Sequence, residues 1–144
     1  MGMREMITKL RHIGIIVKDA EKSVELFKTL FDLTDDDIKV VPSSLTKNES
    51  VFAFVPTGGI DLELIQPISE HFKEMVGNPA EGINHIAFTV KDVEEAVRLM
   101  EEKGVHLGHV TKDGILDMGR SKVAYFNPED TGGILIEFVE PMEG

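Results

Sequence analysis

One octapeptide is written nearly twice in this chain. His12-Ile13-Gly14-Ile15-Ile16-Val17-Lys18-Asp19 returns as His85-Ile86-Ala87-Phe88-Thr89-Val90-Lys91-Asp92. Extended to His12–Leu26 against His85–Leu99, the match is eight identities in fifteen positions. A second pair repeats in the same order: Gly58–Pro67 against Gly132–Pro141 has five identities in ten. The two shifts, 73 and 74 residues, agree to within one. Matches in one order at one spacing indicate an internal duplication. Each copy carries one His near its start, His12 or His85, and one Glu near its end, Glu63 or Glu137.

The repeat constrains the fold. At 144 residues the chain is one domain by length, so each copy is half of a pseudo-symmetric domain. Period-two alternation predicts a first strand over Thr8–Val17. Asp19 then caps a helix whose apolar stripe is Val24, Phe27, Leu30 and Phe31. Strands follow at Ile38–Val41, Val51–Val55 and Ile60–Ile65, the last two joined by a turn at Thr57-Gly58-Gly59. The second copy reads the same way: strand Ile83–Val90, helix Val93–Lys103, then strands Val105–Val110, Lys122–Phe126 and Ile134–Val139, with Thr111–Ser121 as a loop. A short helix over Glu70–Val76 falls between them. The expectation is an α+β domain spanning 1–144: module one at about 8–67, a connector at 68–81, module two at about 82–141. Two βαβββ modules pair into an eight-stranded open cup with helices outside, because neither copy buries both faces of its sheet alone.

Composition excludes several functions. There is no Cys, hence no disulfide, thiolate ligand or Cys nucleophile, which fits a reducing cytoplasm. The net charge of −11 opposes sequence-independent binding to nucleic acid or to an anionic membrane. No apolar run reaches the roughly 18 residues of a membrane span, and no signal-peptide core is evident.

The strand period points to chemistry. His12 shares its face with Gly14, and His85 with Ala87 and Thr89, so each imidazole has a small neighbour two residues on. Glu63 lies between Leu62 and Leu64, and Glu137 between Ile136 and Phe138. A carboxylate centred in an apolar strand is costly unless it is paired or metal-bound, and here it occurs twice at equivalent positions. Two imidazoles and two carboxylates suit one divalent ion: Co, Ni, Zn, Mn or Fe. Such a centre leaves open positions for adjacent substrate oxygens and favours loss of a proton beside a carbonyl. His71, His106 and His109 have no repeat counterpart and are expected to face solvent, as are Glu21 and Glu94. Met75, Met100 and Met118 are expected to pack.

These residues resemble the vicinal oxygen chelate superfamily, the glyoxalase, bleomycin-resistance and dioxygenase group, over about Lys9–Pro141. Within it the likeness is strongest to the methylmalonyl-CoA epimerases. It is carried by His12-Ile13-Gly14-Ile15, Glu63-Leu64-Ile65-Gln66-Pro67, Glu81–Phe88 and Lys122-Val123-Ala124-Tyr125-Phe126-Asn127-Pro128 with Thr131–Glu137. The resemblance implies metal ligands at His12, Glu63, His85 and Glu137, and Glu137 beside the reacting carbon of an acyl-CoA thioester. Glu49 is the nearest match for the second acid/base, since the third strand, Val51-Phe52-Ala53-Phe54, lacks the carboxylate some relatives carry there. Asn84 replaces a His common in the epimerases, and Asp113–Arg120 replaces their Gly-Ala-His-Gly-like loop. Arg120 and Lys122 are read as a solvated pair rather than as a phosphate site. The resemblance also implies a homodimer. A glyoxalase I-type lyase acting on a thiol–ketoaldehyde adduct, with the same four ligands, is the runner-up. A non-catalytic small-molecule binding protein of the same fold is the third reading.

Overall fold

The computed structural model describes residues 2–41, 50–75 and 81–142. Its elements run α1 (Met3–Met6), β1 (Ile7–Ile16), α2 (Ala20–Phe31), β2 (Lys39–Val41), β3 (Ser50–Pro56) and β4 (Asp61–Pro67), then α3 (Glu70–Met75), β5 (Gly82–Val90), α4 (Val93–Glu102), β6 (Leu116–Asp117), β7 (Ser121–Tyr125) and β8 (Ile136–Pro141). The repeat is thus β-α-β-β-β twice over, as the duplication requires. Two compact units divide the chain: His12–Asn84, and Met1–Arg11 with His85–Gly144.

In the His12–Asn84 unit the strand order is β2-β3-β4-β1, with β1 parallel to β4 and the other pairs antiparallel. The parallel pair needs the α2 crossover, whereas β3 and β4 need only the Thr57–Ile60 turn. Asp19 starts α2 by accepting from the Lys22 amide at 3.1 Å. Beneath that helix Ala53, Val55 and Leu64 are wholly buried, and Val24 and Phe27 pack on them. Leu30 and Phe31 do not complete the expected stripe; they are 59% and 46% exposed. With Leu26, 53% exposed, Leu30 forms a second apolar row turned away from the sheet, so the apolar arc of α2 is wider than its buried face. On the opposite face Ile16 and Ile65 lie under Phe72 of α3, whose ring meets Phe52 edge-on at 5.8 Å.

In the other unit the order is β1-β5-β8-β7-β6. The leading part of β1 belongs here: Thr8 Oγ1 donates to the Thr89 carbonyl at 3.2 Å. Helix α1, with no counterpart in the sequence expectations, places Met6 in the core at 2% exposure, where its carbonyl accepts from the Lys91 amide. Met6 joins Val90, Val93, Ala96, Val97, Phe126 and Phe138 beneath α4. Asp92 caps α4 through the Glu95 amide at 3.0 Å, repeating the Asp19 cap.

The repeat extends to contacts that the sequence did not advertise. Gln66 Oε1 accepts from the Ala20 amide at 2.8 Å, and Glu140 Oε1 accepts from the Val93 amide at 2.8 Å. These are equivalent residues, each tying the last strand of its module to the first turn of its helix.

The second strand of the second module is not where alternation predicts it. Val105–Val110 forms no strand: Leu107 makes a single bridge to Phe126, and His109–Thr111 is a 3-10 turn. The strand is β6, inside the stretch expected as a loop. The cause is a tertiary contact: Gly108 lies so close to Asn127 that an added Cβ would sit 2.7 Å from its Cα, and the Thr111 hydroxyl donates to the Tyr125 carbonyl and accepts from the Tyr125 amide.

Candidate metal centre

The strand registers set the geometry of each His/Glu pair. In one unit Gly14 of β1 lies directly beside Glu63 of β4. His12, two residues earlier on the same face, brings Nε2 to 3.7 Å from Glu63 Oε1. Both side chains are about nine-tenths buried. In the other unit Ala87 of β5 lies directly beside Glu137 of β8. His85, again two residues earlier, brings Nε2 to 3.3 Å from Glu137 Oε1, and both side chains are more than nine-tenths buried. The small residue after each His is therefore what lets the carboxylate of the next strand come alongside. A larger side chain at Gly14 or Ala87 would stand in that space.

The donor pair in each half suits metal ligation. Bonds of 2.0–2.2 Å to N and O ligands place two donors on one ion about 3 Å apart for right-angle coordination and about 3.4 Å for tetrahedral coordination. The observed separations need only small adjustments to reach those values. Burial of a carboxylate in an apolar strand also calls for a cationic partner. Neutral imidazole and ionised carboxylate are borderline-to-hard donors, suited to first-row divalent ions.

The His85/Glu137 pair has further company. Tyr125 of β7 lies directly opposite Glu137, and its ring meets His85 edge-on at 5.8 Å. Tyr125 also meets His109, edge-on at 5.1 Å. His109 was expected to face solvent; it is half-buried instead. Burial lowers its pKa below the ordinary imidazole value, the charge of His85 lowers it further, and Glu137 opposes the shift. Tyr125 and His109 have no counterpart in the first copy, where Phe54 stands opposite Glu63, so the duplication that exposed the other residues passed over them.

The remaining candidates are placed as follows. Glu49 lies outside the described residues, as do the side chains of His71 and Met75. His106, Glu21 and Glu94 are exposed, as expected. Lys122 pairs with Glu94 at 3.4 Å, and Arg120 is exposed. Met100 packs on the core, but Met118 does not: it is 59% exposed at the β6–β7 turn. No helix among the described residues is long and apolar enough to cross a membrane.

The chain has relatives. An uncharacterized Bacillus subtilis protein, YqjC, is 28% identical over 143 residues, covering 94% of each chain. The mitochondrial methylmalonyl-CoA epimerase of Dictyostelium discoideum is 25% identical over 139 residues, covering 93% of this chain and 79% of that one. Among solved structures, the methylmalonyl-CoA epimerase of Mycobacterium tuberculosis superposes with a TM-score of 0.74 at 25% identity, over 96% of this chain and 91% of that one. The α+β fold of paired βαβββ modules is shared with it. The model of the glyoxalase/bleomycin resistance protein/dioxygenase superfamily matches residues 11–125. By the extent of that match, which covers most of the chain, the chain belongs to the glyoxalase/bleomycin resistance protein/dioxygenase superfamily.

Proposed function

We propose that His12, Glu63, His85 and Glu137 together hold one divalent ion, and that the protein is an epimerase acting on an acyl-CoA thioester such as methylmalonyl-CoA. The observation that carries the proposal is the duplicated geometry: twice, a buried imidazole and a buried carboxylate converge within 3.7 Å or less beside a small residue. Similarity to methylmalonyl-CoA epimerases over nearly the whole chain supports the substrate class.

A divalent ion in that position supplies Lewis acidity toward two adjacent substrate oxygens, the carboxylate and the thioester carbonyl, and so acidifies the carbon between them. The protein's own groups move the proton. Glu137, which would help to hold the ion, is the base proposed to take the proton from one face of the α-carbon. An acid on the opposite face returns a proton to the same carbon, inverting its configuration. Glu49 is the residue proposed for that second role.

The test is deuterium incorporation at C2 of methylmalonyl-CoA in heavy water, with and without a chelator. Chelator-sensitive incorporation is expected. No incorporation, alongside turnover of a thiol–ketoaldehyde hemithioacetal, would replace this reading with the lyase one.

A further inference from the structure

His109 occupies a backbone conformation that an L-residue adopts only under constraint. Its φ is +54°, in the left-handed region. Such conformations persist where the surroundings over-determine them, and they cluster at functional sites. The constraint here is explicit. On one side the Gly108 amide donates to the Tyr125 carbonyl at 2.9 Å, and Gly108 lies against the Asn127 backbone. On the other side the wholly buried Thr111 hydroxyl donates to the Tyr125 carbonyl at 2.8 Å and accepts from the Tyr125 amide at 2.8 Å. His109 is therefore clamped to β7 at the residue facing Glu137. Its ring lies against the Tyr125 ring, which lies against His85.

We propose that His109 is a further substrate-binding residue, whose imidazole donates a hydrogen bond to an oxygen of a bidentate oxyanion held beside His85 and Glu137. The inference deepens the metal-centre reading and rests on it. A neutral imidazole carries one N–H and can serve an anionic oxygen without adding charge to the cation site. A ring needed only to fill space beside Tyr125 would not require the left-handed turn, which an apolar residue in ordinary backbone would avoid.

The test uses Co2+ as the metal and oxalate as a simple anion with two adjacent oxygens. His109→Gly suits the left-handed backbone, so it removes the imidazole without disturbing the turn. His109→Asn tolerates that backbone and retains an N–H donor. The expected result is unchanged Co2+ uptake in both variants, measured by metal analysis and the visible spectrum of the bound ion. Oxalate affinity, read from the same spectrum, falls about tenfold in His109→Gly and is partly restored in His109→Asn. Intact Co2+ uptake with wild-type oxalate affinity in His109→Gly would overturn the role of His109 while leaving the metal centre standing. Absence of Co2+ uptake by the unaltered protein would overturn both.

Discussion

At the scale of single residues, the molecule makes a trade between stability and chemistry. Glu137 is 6% exposed and lies in a strand flanked by Ile136 and Phe138, where a neutral isostere is easier to bury. Glu137→Gln is therefore expected to leave the metal-free protein as stable as the parent, or more so, in urea unfolding. The same change is expected to slow α-proton exchange by about two to four orders of magnitude, since the amide is no base. Ala87 tests the geometry from the other side. It is fully buried directly beside Glu137, so Ala87→Leu should cost about 1–3 kcal/mol in urea and displace the carboxylate from metal binding. The His and Glu positions were legible because they recur; a residue that appears once, in a chain that repeats itself, carries no such signal. Tyr125 and His109 were passed over for that reason. His109 also sits in a turn whose existence depends on a close approach between Gly108 and Asn127 that no local pattern encodes.

Among the elements, the two copies agree in more than sequence. Asp19 and Asp92 cap α2 and α4, and Gln66 and Glu140 reach across from the last strands to the same helix termini. Gln66→Ala leaves the Ala20 amide without that acceptor and is expected to lower stability by about 1 kcal/mol, measured as a shift in the urea midpoint at constant slope. Strands and helices with strong periodicity were readable within a residue or two: β1, α2, β5, α4 and β8 all fall close to their predicted positions. The failure lay at Val105–Val110, whose alternation suits a strand but which runs into a 3-10 turn, with the Gly108 carbonyl accepting from the Thr111 hydroxyl. Two-residue β6 is too short to leave a period. The row of Leu26 and Leu30 shows a related limit, because an apolar residue on a helix does not state which neighbour covers it.

For the whole molecule, the duplication is the feature from which the rest follows. It is visible in the sequence, and it carries the βαβββ order and the candidate ligands with it. Ligand chemistry leaves the ion's identity open among several metals, and the loops that select a substrate, Asp113–Arg120 above all, are where this chain departs from the epimerase pattern. If the ion is bound only by the folded protein, excess metal should raise the melting temperature by several degrees. At a free concentration 100 times the dissociation constant the stabilisation is about 2.7 kcal/mol, and a chelator should reverse it. The claim beneath all of these expectations is that both copies serve a single ion, and Co2+ stoichiometry tests it most directly. One ion per chain is predicted for the unaltered protein, with tight binding abolished by His12→Ala alone and by His85→Ala alone. Two ions per chain, or undiminished binding after loss of either imidazole, would contradict it.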